Sequence, residues 1–600
     1  MDLSDEELKK LAEELEEVER DRNAGKRGYT IEELDRIPDF LIGLDDFTEL
    51  RSRGYYYVDK TGLIADIMSL GSDVFLFTRP RRFGKTLNMT MIRDFFSLKS
   101  DKSVFEGLEI LENRELCDEY MGKVPVIYMT MKDVRGNDWD SALEQLREIV
   151  SAVAYDLFTA DDAALLQEEK GNVLKRLIGG SEDVTAYDLI RSLSIYQETI
   201  YRKTGIKPIL LIDEYDVPLA KAHANGYWDK MLALMGGMYS RAMKSSGYLF
   251  KAVLTGCLKV ARESVFTGLN NLSVLGVSED IASDRFGFTD TEMHELLCYY
   301  GLSAKWDEYR EWYDGYRFGN TEIWCPWDVL SYTEELCLNP RKEASSHWVN
   351  TSSNDWLHFL VDHADAETRR CIEILMDGGV VEKKLNQNIT YQDIGSDIEN
   401  LWSLLFMTGY LTTSGRNERG EELLRIPNRA VRTAFEESIA VWFRRYLKTQ
   451  NDTGAELASA LLSGDARLVT SIMYGILSDL ISVRDYSGRG AKENFYQGLL
   501  VGLLGSALTR ANGLRSNSEA GNGYADILFT SDDGNVGVVL ELKYADSNAS
   551  LERSATGALE QIDNMKYAEG LRRFLYPDAI VRKYGISFHH KDCLVLEKDE

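Results

Sequence analysis

Residues 78–86 read TRPRRFGKT, Thr78 to Thr86, a stretch that ends like a phosphate-binding loop and begins unlike one. A P-loop follows G-x-x-x-x-G-K-[ST], in which the backbone closes around phosphate oxygens, the lysine reaches the beta and gamma phosphates, and the hydroxyl ligates Mg2+. Here Arg79 stands where the first glycine belongs, and Pro80, Arg81 and Arg82 follow it. The neighbours decide the reading. DVFLFT at 73–78 has the pattern of a short buried strand, and TLNMTMIRDFFSL after the loop carries apolar residues at helical spacing. A loop joining a strand to a helix aims backbone N–H groups and the positive end of the helix dipole at one point, which is where phosphate binds.

Three further apolar runs extend the pattern: VPVIYMTM at 124–131, PILLIDEY at 208–215 and YLFKAVLTG at 248–256. Nearly continuous apolar runs separated by helical segments mark parallel strands buried on both faces and joined by right-handed crossovers. The 208–215 run carries Asp213 and Glu214 at its end. In a P-loop enzyme Asp213 would hold Mg2+ through water and Glu214 would polarise the attacking water. An exposed strand end explains a lone Asp-Glu pair equally well; the loop upstream decides for the nucleotide. The expected ATP contacts are Arg82, Phe83, Gly84, Lys85, Thr86, Leu87 and Asp213, with Mg2+ at Thr86 and Asp213. Thr255, ending the fourth run, is either a gamma-phosphate sensor or a structural threonine, and Arg262 and Arg285 are candidate charge-stabilising fingers. At least one of Arg79, Arg81 and Arg82 is expected to contact nucleotide phosphate or an acidic neighbouring segment.

The 600 residues exceed what one hydrophobic core holds, and 44% hydrophobic with 28% charged residues is the composition of a soluble globular chain. The longest apolar run, 498–508, falls short of the ~20 residues that span a bilayer. The N-terminus, MDLSDEELKKLAEELEEVERDR, lacks the basic-apolar-small order of a signal peptide. A cytoplasmic protein with no membrane partner is expected. The seven cysteines form no CxxC pair, which argues against zinc and against a disulfide scaffold, and they read as reduced, mostly buried thiols. A net charge of -29 opposes long-range attraction to nucleic acid, so any such contact needs a local basic surface, metal ions or a partner.

Near the C-terminus, GYADILFT and VGVVLELKYA read as two strands, and they carry Asp526 on the first and Glu541 and Lys543 on the second. A period of two puts Glu541 and Lys543 on one face of their strand, with Leu542 on the other. Carboxylates that hold Mg2+ against a phosphodiester, with a lysine for the water, need this order. A lone E-x-K is usually an alternating surface strand. This strand is otherwise apolar, and a metal-carboxylate-lysine cluster resolves the cost of burying its charges. His589 and His590, adjacent in GISFHHKDCLVLE, would point to opposite faces of a strand and so not share a metal.

DDFTELRSRGYYYVDKTGLI, FLFTRPRRFGKTLNM, ILLIDEYDVPL, ESVFTGLNNL, FGFT and WYDGYRFG resemble the AAA-ATPase-like family of bacterial proteins, whose loop is written R-P-R-R-F-G-K-[ST]. The resemblance covers most of residues 40–600. Its members commonly carry a C-terminal domain of the PD-(D/E)XK nuclease superfamily. The resemblance implies Asp526 and Glu541 as metal ligands, Lys543 for the water, Glu493 and Glu519 as outer ligands and Gln561 as a positioning group. A related pattern has Tyr four residues after the Gln; on the helix expected over 555–571 Met565 stands there and Tyr567 lies on another face, so no tyrosine is assigned. The fold expected is α/β: a helical extension at 1–39, a P-loop domain with a parallel sheet at 40–285, a mainly helical middle or lid at 286–450, and an α/β restriction-endonuclease-like domain at 451–600. The activity implied is ATP hydrolysis coupled to Mg2+-dependent cleavage of DNA or RNA, with a homo-oligomer possible and defence against phage or mobile elements as its setting. The alternative is an ATP-driven switch whose C-terminal domain binds nucleic acid or protein without cutting.

Overall fold

A computed structural model describes residues 43–599 except 181–182, 245, 259–265, 267–270, 348–354, 387–388, 390–397, 450, 480–488, 509–511 and 522. The extension expected over 1–39 and the candidate Arg262 lie outside the described residues. The chain forms two compact units: one runs to Trp356 and resumes at Glu382–Thr433, and the other comprises Leu357–Val381 and Ala434–Glu600. Residues 286–450, expected as one middle region, are thus divided between them.

The first unit is built on a parallel sheet of five strands in the order β2-β3-β4-β1-β5. These are β1 Val74–Thr78, β2 Val126–Thr130, β3 Ile209–Asp213, β4 Ala252–Gly256 and β5 Leu272–Leu275. Four match the apolar runs of the sequence; β5, four residues long, was not expected. β1, β3 and β4 are buried throughout, as central strands must be. β2 alternates half-buried and buried residues because it is the sheet edge and only one of its faces meets the core. Insertion of β4 between β1 and β3 sets the ends of all three side by side.

Helix α1, Lys85–Phe96, follows β1 through the loop. It buries Met89, Ile92, Phe95 and Phe96, each a burial of about 1.5–3 kcal/mol. Gly84, at φ 77, occupies its N-cap, where the left-handed conformation suits glycine. Beyond the sheet a short hairpin, β6 Tyr316–Phe318 and β7 Thr321–Ile323, precedes helix α2, Pro326–Leu338, which opens on a proline at its first turn. The aromatic segment that includes WYDGYRF is packing: Tyr309, Tyr313, Trp324 and Tyr332 form one buried cluster.

The second unit contains helices α3 Asn451–Ser463, α4 Ala466–Asp479 and α5 Arg489–Ala507 and a sheet of β8 Arg515–Ala520, β9 Gly523–Thr530, β10 Val536–Tyr544, β11 Ile580–His589 and β12 Asp592–Asp599. The strands are antiparallel except the β10–β11 pair, whose crossover contains α6 Leu551–Asn564 and α7 Tyr567–Arg572. One sheet face packs Ile527, Phe529, Leu540 and Leu542 against α3, α4 and α5. The other packs Leu528, Val539 and Val581 against Ile562, Tyr567 and Leu571. Two sequence expectations fail here. The single strand expected around the two histidines is a hairpin that turns at His590, φ 52, and the helix expected through residues 555–571 breaks at Lys566, φ 56.

Candidate functional site

In the first unit the sequence-selected residues converge where β1, β3 and β4 end. Thr86 Oγ1 donates to Asp213 Oδ2 at 2.7 Å, and Thr255 Oγ1 donates to the other oxygen of the same carboxylate. Asp213 is fully buried. The Glu214 amide faces Thr255 Oγ1 at 3.4 Å, and Glu214 itself sits at φ 50, a left-handed conformation that side chains other than glycine adopt at a cost. Burial raises the Glu214 carboxyl, helped by the charges of Asp213 and Asp216 and opposed by Lys85 and Arg81.

Lys85 is buried and donates to the loop carbonyls Pro80 O at 2.9 Å and Arg79 O at 3.2 Å, with Cys257 Sγ at 3.7 Å. Its ammonium is thus held at the mouth of the loop, beside the uncapped first turn of α1, whose backbone N–H groups face the loop. Cationic amine, hydroxyl, carboxylate and helix N-terminus together suit a Mg2+-nucleotide. Asp216, not singled out in the sequence, braces the rim: it accepts the Cys257 and Leu258 amides, each at 2.9 Å. In the sequence it is one more acid after Asp213 and Glu214, and its burial has no local marker.

The three arginines of the loop do different work. Arg79 is fully buried and donates to Leu275 O at 2.8 Å, Thr78 O at 3.0 Å and Ala282 O at 3.2 Å, with its guanidinium 5.1 Å from the rings of both Phe286 and Phe318. Burial pulls its pKa down to about 9, which leaves it charged at neutral pH. Arg82, at φ 73, lies 4.7 Å over Trp327 and donates to His347 O at 3.3 Å. Phe83 is fully buried against Tyr316 and Phe318. Arg81 feels the charges of Cys257, Glu214 and Asp216, which raise its pKa against the opposing effect of burial. Leu87 lies in the first turn of α1, half-buried. Arg285 pairs with Asp66 at 2.8 Å and is packed over Gly62.

In the second unit, the register that pairs Ile527 with Leu540 places Asp526 across from Glu541. Asp526 Oδ2 accepts the Leu542 amide at 2.8 Å, and Lys543 Nζ stands 3.2 Å from Glu541 Oε1. Glu541 is buried, and its Oε2 has no hydrogen-bond partner among the described residues. Burial, together with the charge of Asp526, pushes its carboxyl up to about 7 against the pull of Lys543. An unpartnered buried carboxylate oxygen beside a second carboxylate is a donor set for a hard divalent cation. Among the described residues no group of three metal-ligating side chains is already assembled. Glu493 lies in α5 and Glu519 in β8, but both side chains fall outside the described residues.

Gln561 Nε2 lies 3.5 Å from the Tyr567 hydroxyl. The break at Lys566 turns Tyr567 back toward the Gln, which a continuous helix would not. Gln497, missed in the sequence, donates from α5 to Asp526 O at 2.9 Å and Ser516 Oγ at 3.0 Å. His589 Nδ1 lies 2.9 Å from Ala545 O, and its ring meets that of His590 edge-on. Among the described residues none of the seven cysteines is joined in a disulfide; Cys325, Cys337 and Cys593 are buried and Cys298 is exposed. Among the described residues no helix is long and apolar enough to cross a membrane.

Two stretches of the chain match models of known families. Residues 41–266 match a family model described as a predicted AAA-ATPase, and residues 491–598 match that of the PD-(D/E)XK nuclease superfamily. A protein of Azotobacter chroococcum mcd 1, named as an uncharacterized protein in the vnfD 5' region, is 24% identical over 441 residues, covering 71% of this chain and 74% of its own.

Proposed function

From a chain that carries an AAA-ATPase-like domain at 41–266 and a PD-(D/E)XK nuclease superfamily domain at 491–598, we propose an ATP-hydrolysing enzyme that also cleaves nucleic-acid phosphodiesters. The observation that carries the first half is the sharing of one buried carboxylate, Asp213, by Thr86 and Thr255. Thr86 and Asp213 would hold Mg2+, whose charge offsets that of the phosphates when bound. Lys85 exchanges its two loop carbonyls for phosphate oxygens. Glu214, with its carboxyl raised, orients and accepts a proton from the attacking water, and Thr255 reads the gamma phosphate from the end of β4. Arg82, Phe83, Gly84 and Leu87 shape the loop around the nucleotide.

The second half rests on Asp526 and Glu541 facing each other with Oε2 unpartnered. They would hold Mg2+, which polarises the scissile phosphate when bound. Lys543 orients the water, and Gln561 and Tyr567 position the strand. The setting proposed is defence against phage or mobile elements, which only the family resemblance supports, and the compartment proposed is the cytoplasm. A switch that recognises nucleic acid without cutting is the second reading, and the net charge of -29 favours it.

One preparation tests both: the full chain with DNA and RNA substrates and Mg2+ or Mn2+, with and without ATP, beside Lys85→Ala and Lys543→Ala. Loss of cutting in Lys543→Ala with ATP hydrolysis retained supports the nuclease. A wild type that hydrolyses ATP and cuts nothing supports the switch. A wild type that binds no nucleotide removes both.

A further inference from the structure

We propose that the cleft between the helices Ala186–Thr204 and Trp228–Met243 of the first unit is a second ligand site, built for the phosphate group of a small molecule. It stands apart from the ATP and metal sites and rests on neither. The cleft has a volume of about 410 Å3, within the ~300–1,000 Å3 that small-molecule sites occupy. Lys170, Arg241 and Lys244 line it with Ser240 and Tyr248, and Glu198 is the one acid among the described residues that do so.

The walls are fixed before any ligand arrives. Gln197, fully buried, donates to Ala242 O at 3.1 Å and so ties the two helices together, and its own amide oxygen accepts the Ser246 hydroxyl. Gly237 lets the helices approach, since a Cβ there would stand 3.2 Å from Ile190. Glu198 is 4% exposed and gives one carboxylate oxygen to Lys170 and the other to Arg202. Its charge is thus offset within the wall. The same contact holds Lys170 at the cleft, although Lys170 sits in the first turn of its own helix, Glu168–Gly179, where the dipole favours acids.

The remaining donors are unspent. Arg241 and Lys244 are exposed, and neither side chain has an ion pair or hydrogen bond among the described residues; nor does the Ser240 hydroxyl. Three cations against one carboxylate leave two surplus positive charges around one cavity, in a chain whose net charge is -29. A guanidinium grips phosphate oxygens in pairs, an ammonium adds a compact charge, and a hydroxyl supplies a further donor. An apolar ligand would have to desolvate these groups without replacing their hydrogen bonds. The Tyr248 ring, 5.4 Å from that of Tyr201, gives the cleft one flat surface for the rest of the molecule. The helix Ala186–Thr204 leads into β3 and Tyr248 into β4, so the cleft lies toward the starts of these parallel strands, whereas Asp213 and Thr255 lie toward their ends.

The test uses the full chain carrying Lys85→Ala, which removes the ammonium of the proposed ATP loop, and measures calorimetric binding of AMP, inorganic phosphate and adenosine in EDTA. AMP is expected to bind and adenosine not. Phosphate binding as tightly as AMP assigns the site to the free anion, and weaker phosphate binding assigns it to a phosphomonoester. The double variant Arg241→Gln/Lys244→Gln should lose roughly ten- to a hundred-fold in affinity, and Ser240→Asp, which places a carboxylate in the cleft, should abolish binding. With Lys85 intact, both variants are expected to keep the parent's ATP affinity and melting temperature. Failure of the parent to bind either AMP or phosphate overturns the proposal, as does adenosine binding as tightly as AMP, or an affinity unchanged in both variants. A matching loss of ATP affinity overturns it too, by returning the contact to the loop.

Discussion

Thr86 donates its hydroxyl to Asp213 across 127 positions of sequence, at 2.7 Å. Thr86→Val keeps the shape of the side chain and removes the donor. Hydrogen bonds to charged groups contribute about 1.5–3 kcal/mol, so the Mg2+-dependent part of nucleotide affinity should fall roughly ten- to a hundred-fold. The check is the affinity of a fluorescent ATP analogue in Mg2+ and in EDTA. An equal loss in both would place the hydroxyl outside the metal site.

Restoring the generic loop glycine should harm this protein. Arg79→Gly leaves the Leu275 and Ala282 carbonyls without their donor and opens space between Phe286 and Phe318. A loss of about 3 kcal/mol or more is expected in urea unfolding of the first unit. Unchanged stability would show that the guanidinium is dispensable to the fold.

Asp328 gives the pH dependence. It is 2% exposed, its Oδ1 has no partner among the described residues, and burial raises its carboxyl to about 6 against the pull of Cys325 and Arg82. A folded-state pKa above the unfolded value means the ionised form is disfavoured by folding. The resulting destabilisation is absent below about pH 4, grows between the two pKa values and is complete above the folded one. Asp328→Asn should therefore stabilise the protein at pH 7–8, by up to about 3 kcal/mol, and the gain should vanish toward pH 4. Denaturation at several pH values measures it; a pH-independent difference contradicts the assignment.

Metal should act on stability through the second unit. Without ATP, Mg2+ bound between Asp526 and Glu541 stabilises by about 1–3 kcal/mol at 10 to 100 times its dissociation constant. A proton held on Glu541 up to about pH 7 competes with the ion, so the rise in melting temperature on replacing EDTA with Mg2+ should be larger at pH 8 than at pH 6. Glu541→Gln should show little rise at either. A variant that responds like wild type would place the ion elsewhere.

What could be read from the sequence were the features with a local signature. β1, β3 and β4 announced themselves as apolar runs because central strands are buried on both faces. β5 did not, since four residues of LSVL at a sheet edge have no period to display. Asp526, Glu541 and Lys543 were found from strand alternation, and Tyr567 was set aside because a helix break at Lys566 has no marker in NMKYAE. The arginines are the clearest case. Three positive charges near a phosphate loop suggested a phosphate ligand. Arg79 instead meets carbonyls and rings supplied about 200 positions away, a fact no local pattern contains. Arg81 feels the acids at the end of β3, Glu214 and Asp216, and Arg82 feels Asp328.

Between them, Arg79 in its aromatic slot, Pro80 against Gly409, Arg82 on Trp327 and Phe83 between Tyr316 and Phe318 clamp the loop before any nucleotide arrives. Loops that must order themselves on binding lose conformational entropy at that moment. A clamped loop has already lost it during folding. On the proposed ATP-hydrolysing reading, capture of phosphate then costs little ordering, and product departure is the step expected to limit turnover. The hairpin and α2, which hold the clamp, are the places from which that tempo can be changed.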